Sequence, residues 1–134
     1  MNSKLKNVLA VVAGLVIGGA VNMGIVMMSG SVIPLPEGVD PADLESLKAG
    51  MALFEPKHFV MPFLAHALGT LVGAMVAARM AASKKFAMAM IVGAFFLAGG
   101  IANIYMLGGP LYFVVADIVL AYVPMAWLGW KIVK

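Results

Sequence analysis

The chain has 134 residues, of which 63% are hydrophobic and 11% are charged, and its net charge is +3. This balance, with a mean hydropathy of +1.04, excludes an ordinary soluble domain, in which about a quarter of the residues are charged, and indicates an integral membrane protein. The lack of cysteine excludes disulfides, thiolate metal sites and thiol redox chemistry. The basic residues lie at the ends of apolar segments, which argues for a role in membrane topology and against nucleic-acid binding.

Four apolar stretches account for most of the chain. A helix that crosses a bilayer needs about 20 apolar residues, and stretches of about this length occur at about residues 7–29, 58–80, 86–107 and 111–130. We therefore predict an all-α fold, a single transmembrane domain of residues 1–134 built as an integral membrane four-helix bundle.

The polar segment between the first two stretches contains a helix signal of its own. Asp40 is a good N-cap, and Pro41 suits the first position of a helix. Apolar residues then recur at helical spacing as far as Phe54. This pattern predicts a short external amphipathic helix at about residues 41–54, lying in the membrane interface.

The cations are distributed unevenly between the two ends of such a bundle. One end carries Lys4, Lys6, Arg79, Lys84, Lys85, Lys131 and Lys134. The other end carries Lys48 and Lys57 among five acidic residues. Because cytoplasmic loops are rich in Lys and Arg, we predict that both termini are cytoplasmic and that the membrane is a bacterial-type plasma membrane.

A short motif recurs in the first and third spans. Gly18–Asn22 and Gly99–Asn103 both read G-G-x-x-N, and the span after each motif carries an alanine followed by an ionisable residue, His66 or Asp117. This pattern predicts two parallel helical-hairpin repeats. Chance similarity is the alternative, because glycine is frequent in transmembrane helices.

The strongest polar groups of the spans are predicted to share one depth. At 1.5 Å per residue, His66 and Asp117 lie about 10 Å below the outer ends of their helices. Asn22 and Asn103 lie near that level, and Thr70 follows one turn below His66. An ionisable residue inside a membrane is by default a functional-site hypothesis. We therefore predict a ligand or ion site in which His66 titrates, Asp117 is its counter-charge and the asparagines orient the ligand.

The alternative for this layer is structural. A histidine paired with an aspartate, with amides nearby, also fits a polar clasp that fixes the register of the helices, although interhelical hydrogen bonds in membranes contribute only about 0.6 kcal/mol each. Tyr105 and Tyr122 are candidates to extend the layer in either case. The sequence leaves the choice between a site and a clasp open.

Other features argue against a metal or cofactor site. Glu55 and His58 have the E-x-x-H spacing of di-iron bundles, but the second copy and the further glutamates are missing, so Glu55 is interpreted as a helix N-cap. The twelve methionines are dispersed, which favours flexible core packing over copper binding. We predict no metal and no cofactor. The absence of a Walker, G-x-S-x-G or H-E-x-x-H motif predicts no enzymatic activity.

Small residues recur at four-residue spacing on two spans. They are Ala10, Gly14 and Gly18 on the first span, and Ala65, Gly69, Gly73 and Ala77 on the second. Such faces allow close contact between helices, either inside one chain or between copies of it. We favour contact inside one chain, and a homo-oligomer formed through these faces is the alternative.

Together these features favour a small non-enzymatic membrane protein with an intramembrane polar site in the outer half of the bilayer. Its activity would be that of a small-solute or ion transporter or of a ligand-binding protein. The alternative is an accessory or structural subunit that packs against a larger membrane complex. The lipid bilayer is the one partner that the composition specifies directly.

Overall fold

The computed structural model describes residues 2–134. Over these residues the chain is all-helical, with 82% helix and no strands, as the sequence predicts. The helices are α1 (Ser3–Val32), α2 (Leu44–Gly50), α3 (Val60–Met80), α4 (Lys85–Leu107), α5 (Leu111–Leu120) and α6 (Val123–Val133). Four segments are long and apolar enough to cross a membrane: α1, α3 with the turn that precedes it, α4, and α5 together with α6.

The first helix is longer than its predicted span of residues 7–29. The side chain of Asn2 accepts the backbone N–H of Lys4 at 2.7 Å, which caps the helix and starts it at Ser3. The helix ends at Val32 because Ile33 precedes Pro34, and a residue before proline is pushed into extended backbone. Ile33 has φ −132° and ψ 96°, as that rule requires.

The external helix is shorter than predicted, and its N-cap is a different residue. Asp43 caps α2 by accepting the backbone N–H two residues further on at 3.1 Å, so the prediction of Asp40 as the N-cap is wrong. Asp40 instead stabilises the turn before α2, because its Oδ1 accepts the backbone N–H of Ala42 at 3.0 Å. Its own N–H donates to Ser46 Oγ at 2.8 Å. Of the predicted range 41–54, only Leu44–Gly50 is α-helical, and a 3₁₀ turn at Met51–Leu53 follows.

The chain enters α3 through a 3₁₀ turn at Pro56–Phe59 that is capped by its own side chains. The carboxylate of Glu55 accepts the backbone N–H of His58, and Nδ1 of His58 accepts the N–H of Glu55 at 2.7 Å. This is a reciprocal capping box. The E-x-x-H spacing of these two residues therefore serves the start of a helix.

The third helix is the centre of the bundle. It contacts α1, α4, α5 and α6, and its span is 39% buried, compared with 17% for α1 and 22% for each of the other two spans. The side chains of α1, α4 and α5–α6 that face away from α3 are largely apolar and exposed. The bundle therefore has an apolar outer surface around a core that is centred on one helix.

The two small-residue faces pack against each other inside this chain. A Cβ atom placed on Gly18 would lie 2.5 Å from the carbonyl oxygen of Gly69, and one on Gly14 would lie 2.5 Å from the carbonyl oxygen of Gly73. The backbones of α1 and α3 therefore meet directly, with no room for side chains between them. This is the intrachain contact that small residues permit.

The fourth span is broken between α5 and α6. Pro124, in the first turn of α6, has no N–H to donate to the carbonyl of Leu120, so a continuous helix would lose a bond at this point. The break lies at Ala121 and Tyr122. It leaves the Tyr122 side chain buried in the bundle, with 2% of the residue exposed.

The turn between α3 and α4 holds one end of the bundle together. Lys85 Nζ donates to the carbonyl oxygens of Ala78 at 3.0 Å and Ala81 at 2.9 Å, which satisfies the C-terminal end of α3. The side chain of Asn7 on α1 accepts the N–H of Ala82 at 2.8 Å and bonds to Ser83. These bonds connect α1, α3 and α4 at the end that carries most of the cations.

The α1–α3 contact makes a prediction about stability. Replacing Gly18→Ala should lower the free energy of unfolding by about 1–3 kcal/mol, because the new methyl group overpacks the interface. Gly19→Ala is the matched control, since nothing lies within 4 Å of its new methyl group, and it should leave stability unchanged or slightly higher. Thermal unfolding in detergent, followed by circular dichroism, measures both. Equal effects of the two variants would contradict the packing argument.

Candidate functional site

The histidine of α3 and the aspartate of α5 are in direct contact. His66 Nδ1 lies 2.8 Å from Asp117 Oδ1. The Asp117 side chain is 3% exposed and the His66 side chain is 17% exposed. A buried carboxylate needs a charge or hydrogen-bond partner, and His66 is the partner that this fold supplies. With Asp117 ionised, Nδ1 carries a proton and Nε2 is the nitrogen left for another molecule.

Tyr122 completes the environment of the carboxylate. Its hydroxyl donates to Asp117 Oδ2 at 3.2 Å, so both carboxylate oxygens have a partner. Its ring also stacks against the His66 ring, with the centroids 5.8 Å apart and the planes at 25°. Gly100 on α4 leaves the space for the tyrosine hydroxyl, because a Cβ atom there would collide with it. The break before Pro124 and this glycine together position Tyr122.

A cavity of about 290 Å³ lies beside His66, and we call it the polar cavity. Its polar lining residues are Asn22, His66, Thr70, Asn103 and Tyr122, and its other walls are Phe96 and the glycines 69, 99 and 100. Four of the five predicted site residues therefore line one cavity. The fifth, Asp117, lies immediately behind the histidine ring.

Several polar atoms of this cavity have no protein partner. Asn22 Oδ1 is buried and makes no hydrogen bond. Over residues 2–134, no side-chain hydrogen bond is made by the Asn103 amide or by His66 Nε2. Of these atoms only Asn22 Oδ1 is fully buried, and an unpaired buried polar atom costs about 1–3 kcal/mol. The Asn103 amide and His66 Nε2 are left to bond to water or a ligand in the cavity. Each amide offers both a donor and an acceptor.

Thr70 lines the polar cavity with a hydroxyl group that already makes one hydrogen bond. Its hydroxyl donates to the carbonyl oxygen of His66 in the preceding turn at 2.8 Å, and the residue is 1% exposed. The bond occupies the hydroxyl proton, so Thr70 offers the polar cavity only acceptor capacity.

A second cavity of about 220 Å³ also has His66 in its lining, and we call it the apolar cavity. The segment between α1 and α3 covers it with Leu47, Met51 and Phe54. Most of the remaining wall is apolar and comes from the ends of α1, α3, α4 and α5. Its polar lining includes His66, Asn103 and Asp117. His66, Gly100 and Asn103 line both cavities.

The two tyrosines that the sequence placed near the layer behave differently. Tyr122 joins the cluster, whereas Tyr105 is 88% exposed and lies outside it. The residues around each tyrosine do not show which of the two is buried, because the burial of Tyr122 depends on the helix break at Pro124. The second glycine of G-G-x-x-N in the third span, Gly100, is the one local hint, since it creates the space that a large side chain fills.

The corresponding glycines of the two G-G-x-x-N motifs make different contacts. In the first motif Gly18 packs against α3 and Gly19 is open, whereas in the second Gly99 is open and Gly100 meets Tyr122. The two asparagines nevertheless line the same cavity. The duplication stays a prediction.

The candidate site contains no recognisable metal centre. Within residues 2–134, no three His, Asp or Glu side chains cluster as metal ligands. His58, the other histidine, has its Nδ1 occupied by the backbone of Glu55. Searches against family models, curated proteins and solved structures give no match to this chain. The geometry of the two cavities is therefore the basis for assigning a function.

The buried pair predicts a strong energetic coupling. His66→Leu alone should lower the free energy of unfolding by about 3 kcal/mol, because it leaves the buried carboxylate of Asp117 without its nearest partner. The double variant His66→Leu/Asp117→Leu should be more stable than His66→Leu alone, since no charge is left unpaired. A double-mutant cycle by thermal unfolding measures this coupling.

Asn103→Leu is the control for that cycle. Its amide has no protein partner, so its loss should leave stability unchanged or raise it. If the losses in free energy of unfolding for the His66 and Asp117 single variants simply add up to the loss in the double variant, the pair is not coupled.

Proposed function

We propose that this chain is a multi-pass integral membrane protein that binds a small hydrogen-bonding ligand or solute in the polar cavity. His66 would contact the ligand through Nε2, Asp117 would hold the histidine through Nδ1, and Asn22 and Asn103 would orient the ligand. A transporter of small solutes or ions is included in this proposal, because a site between helices in the middle of a bundle suits alternating access.

The apolar outer surface supports placement in a bilayer. Large apolar side chains such as Val16, Met27 and Leu111 are mostly exposed, and exposure on this scale in water would be an aggregation hazard. In a membrane the same surface contacts lipid. The cation-rich end would be cytoplasmic by the positive-inside rule, which puts the segment over the apolar cavity, and the polar site beneath it, toward the outer face.

The observation that carries the proposal is the convergence of unpartnered groups on one cavity. His66 Nε2 and the amides of Asn22 and Asn103 line the same space and bond to no protein group. A purely structural clasp would satisfy its polar groups within the protein, because an unsatisfied polar atom in an apolar interior is costly, and Asn22 Oδ1 is such an atom here. The paired carboxylate fits a clasp, but the free nitrogen and the two amides favour a binding site.

The rival proposal is an accessory subunit of a larger membrane complex. The small-residue faces of α1 and α3 supported this alternative in the sequence, but in this chain the two faces pack against each other. The long exposed face of α1, whose span is the least buried, is the feature that still favours it. Purification from native membranes separates the two proposals: a fixed stoichiometry with larger partners supports the accessory subunit, and a free protein or homo-oligomer supports the binding protein.

Water access to the polar cavity tests the proposed function. The chain has no cysteine, so single cysteines report without background. Gly99→Cys lines the polar cavity, and its new side chain has open space. It should react with a membrane-impermeant methanethiosulfonate reagent added from the outside at least about tenfold faster than a lipid-facing thiol, because thiolate forms in water.

Gly19→Cys is the matched control for this measurement. It is the second glycine of the G-G-x-x-N motif on α1, also has open space, and lies outside the lining of either cavity. An inert Gly99→Cys in a folded protein would show a dry layer, and the structural clasp would then replace the binding site.

Membrane orientation gives a separate prediction. In intact cells, the same impermeant reagent should modify Ala52→Cys, in the segment over the apolar cavity, and spare Ala82→Cys, in the turn beside the cations. Both alanines are exposed, so burial in the folded protein does not protect either cysteine from the reagent. After the membrane is permeabilised, both positions should react. The reverse pattern in intact cells would invert the proposed topology.

A further inference from the structure

The two cavities beside His66 differ in chemistry and share part of their lining. The polar cavity offers amides and an imidazole nitrogen, whereas the apolar cavity is walled mainly by aliphatic and aromatic side chains. His66, Gly100 and Asn103 belong to both linings. One molecule that occupied both cavities would therefore need a polar end and an apolar end, with the junction at His66.

The charges around the cavities argue against an ionic head group. Neither lining includes a lysine or an arginine. The two histidines of the linings, His58 and His66, use Nδ1 for the N–H of Glu55 and for Asp117. No permanent positive charge therefore offsets an anion, and the carboxylate of Asp117 would repel it. A cation finds that carboxylate already bonded to His66 and Tyr122. The groups that remain free are amides, which donate and accept hydrogen bonds without charge. A neutral head group with both a donor and an acceptor matches them.

We infer that the ligand is an uncharged single-chain amphiphile, with a hydroxyl or similar neutral head in the polar cavity and its apolar chain in the apolar cavity. This inference rests on the proposed function and specifies the class of ligand. Burial of the chain supplies affinity through the hydrophobic effect, and the head group supplies hydrogen bonds to Asn22, Asn103 and His66. The segment that carries Leu47, Met51 and Phe54 covers the chain.

The size of the apolar cavity limits the length of the bound chain. The apolar cavity has a finite volume of about 220 Å³, so a chain gains contact with its walls only up to the length that fills it. Affinity, referred to free alcohol in water, should rise about fourfold with each methylene up to this length and then stop rising.

The experiment uses the full chain in lipid nanodiscs and a diazirine-bearing octan-1-ol as the photoreactive probe. After irradiation, mass spectrometry locates and counts the modified residues. We expect modification at residues of the apolar cavity, such as Met51 and Ile104, and competition by unlabelled alkan-1-ols that strengthens with chain length and then levels off. Octanoate, which has the same chain and a negative charge, should compete at least tenfold less well at pH 8.

Variants of α2 provide the matched control. Leu47→Trp fills the apolar cavity and should reduce the labelling of Met51 and Ile104 at least tenfold. Leu44→Trp adds the same side chain to the same helix at a position that is 44% exposed and outside the lining, and it should leave labelling unchanged. Asn103→Leu should weaken labelling by removing a partner of the head group.

The outcomes separate this inference from the proposed function. Equal competition by octanoate would overturn the neutral head, and labelling that survives Leu47→Trp would overturn the placement of the chain. Either result, with a water-accessible Gly99→Cys, leaves the polar cavity as a site for some other ligand. An inert Gly99→Cys, by contrast, removes the proposed function itself, and the inference fails with it.

Discussion

The carboxylate of Asp117 imposes the constraint on which the rest of the structure depends. A carboxylate buried in an apolar bundle must have partners, and it has two, His66 from α3 and Tyr122 from the break between α5 and α6. These bonds tie the broken fourth span to the central helix. Pro124 and Gly100 make the bond from Tyr122 to Asp117 possible. The proline breaks the helix where the tyrosine turns inward, and the glycine leaves room for the tyrosine hydroxyl.

Pairing the carboxylate leaves the other polar groups of the layer without protein partners. The histidine uses one nitrogen for Asp117 and keeps the second, while Asn22 and Asn103 face the polar cavity and bond to nothing in the protein. The layer thus combines both interpretations of the sequence, a structural clasp at the carboxylate and a set of unpaired groups around a cavity. Asn22 Oδ1, the fully buried atom among them, destabilises the fold while it is unpaired, and the convergence of these groups on one cavity is what supports a binding function.

The scaffold around this layer depends on glycine. Direct backbone contact between α1 and α3 at Gly14 and Gly18 brings α1 close enough for Asn22, one turn further along, to reach the polar cavity. The motif that recurs in the third span serves a different purpose, because Gly100 there accommodates a side chain instead of a backbone. Similar sequence therefore leads to different packing, since each glycine meets whichever element the fold places opposite it.

The sequence by itself determined the class of fold, because the length of an apolar helix and the residue that caps it depend on local chemistry. The four long apolar helices and the capping role of Glu55 both follow from such local patterns. It also predicted that His66, Asn22 and Asn103 come together, since helical rise is fixed, and these residues line one cavity. Local signals failed at Asp40, where two nearby aspartates compete to cap one helix. Only the tertiary structure decided that Tyr122 joins the cluster and Tyr105 does not, and that His66 lines both a polar cavity and an apolar one. Those outcomes depend on helix rotation and on contacts between distant segments, which no local pattern encodes.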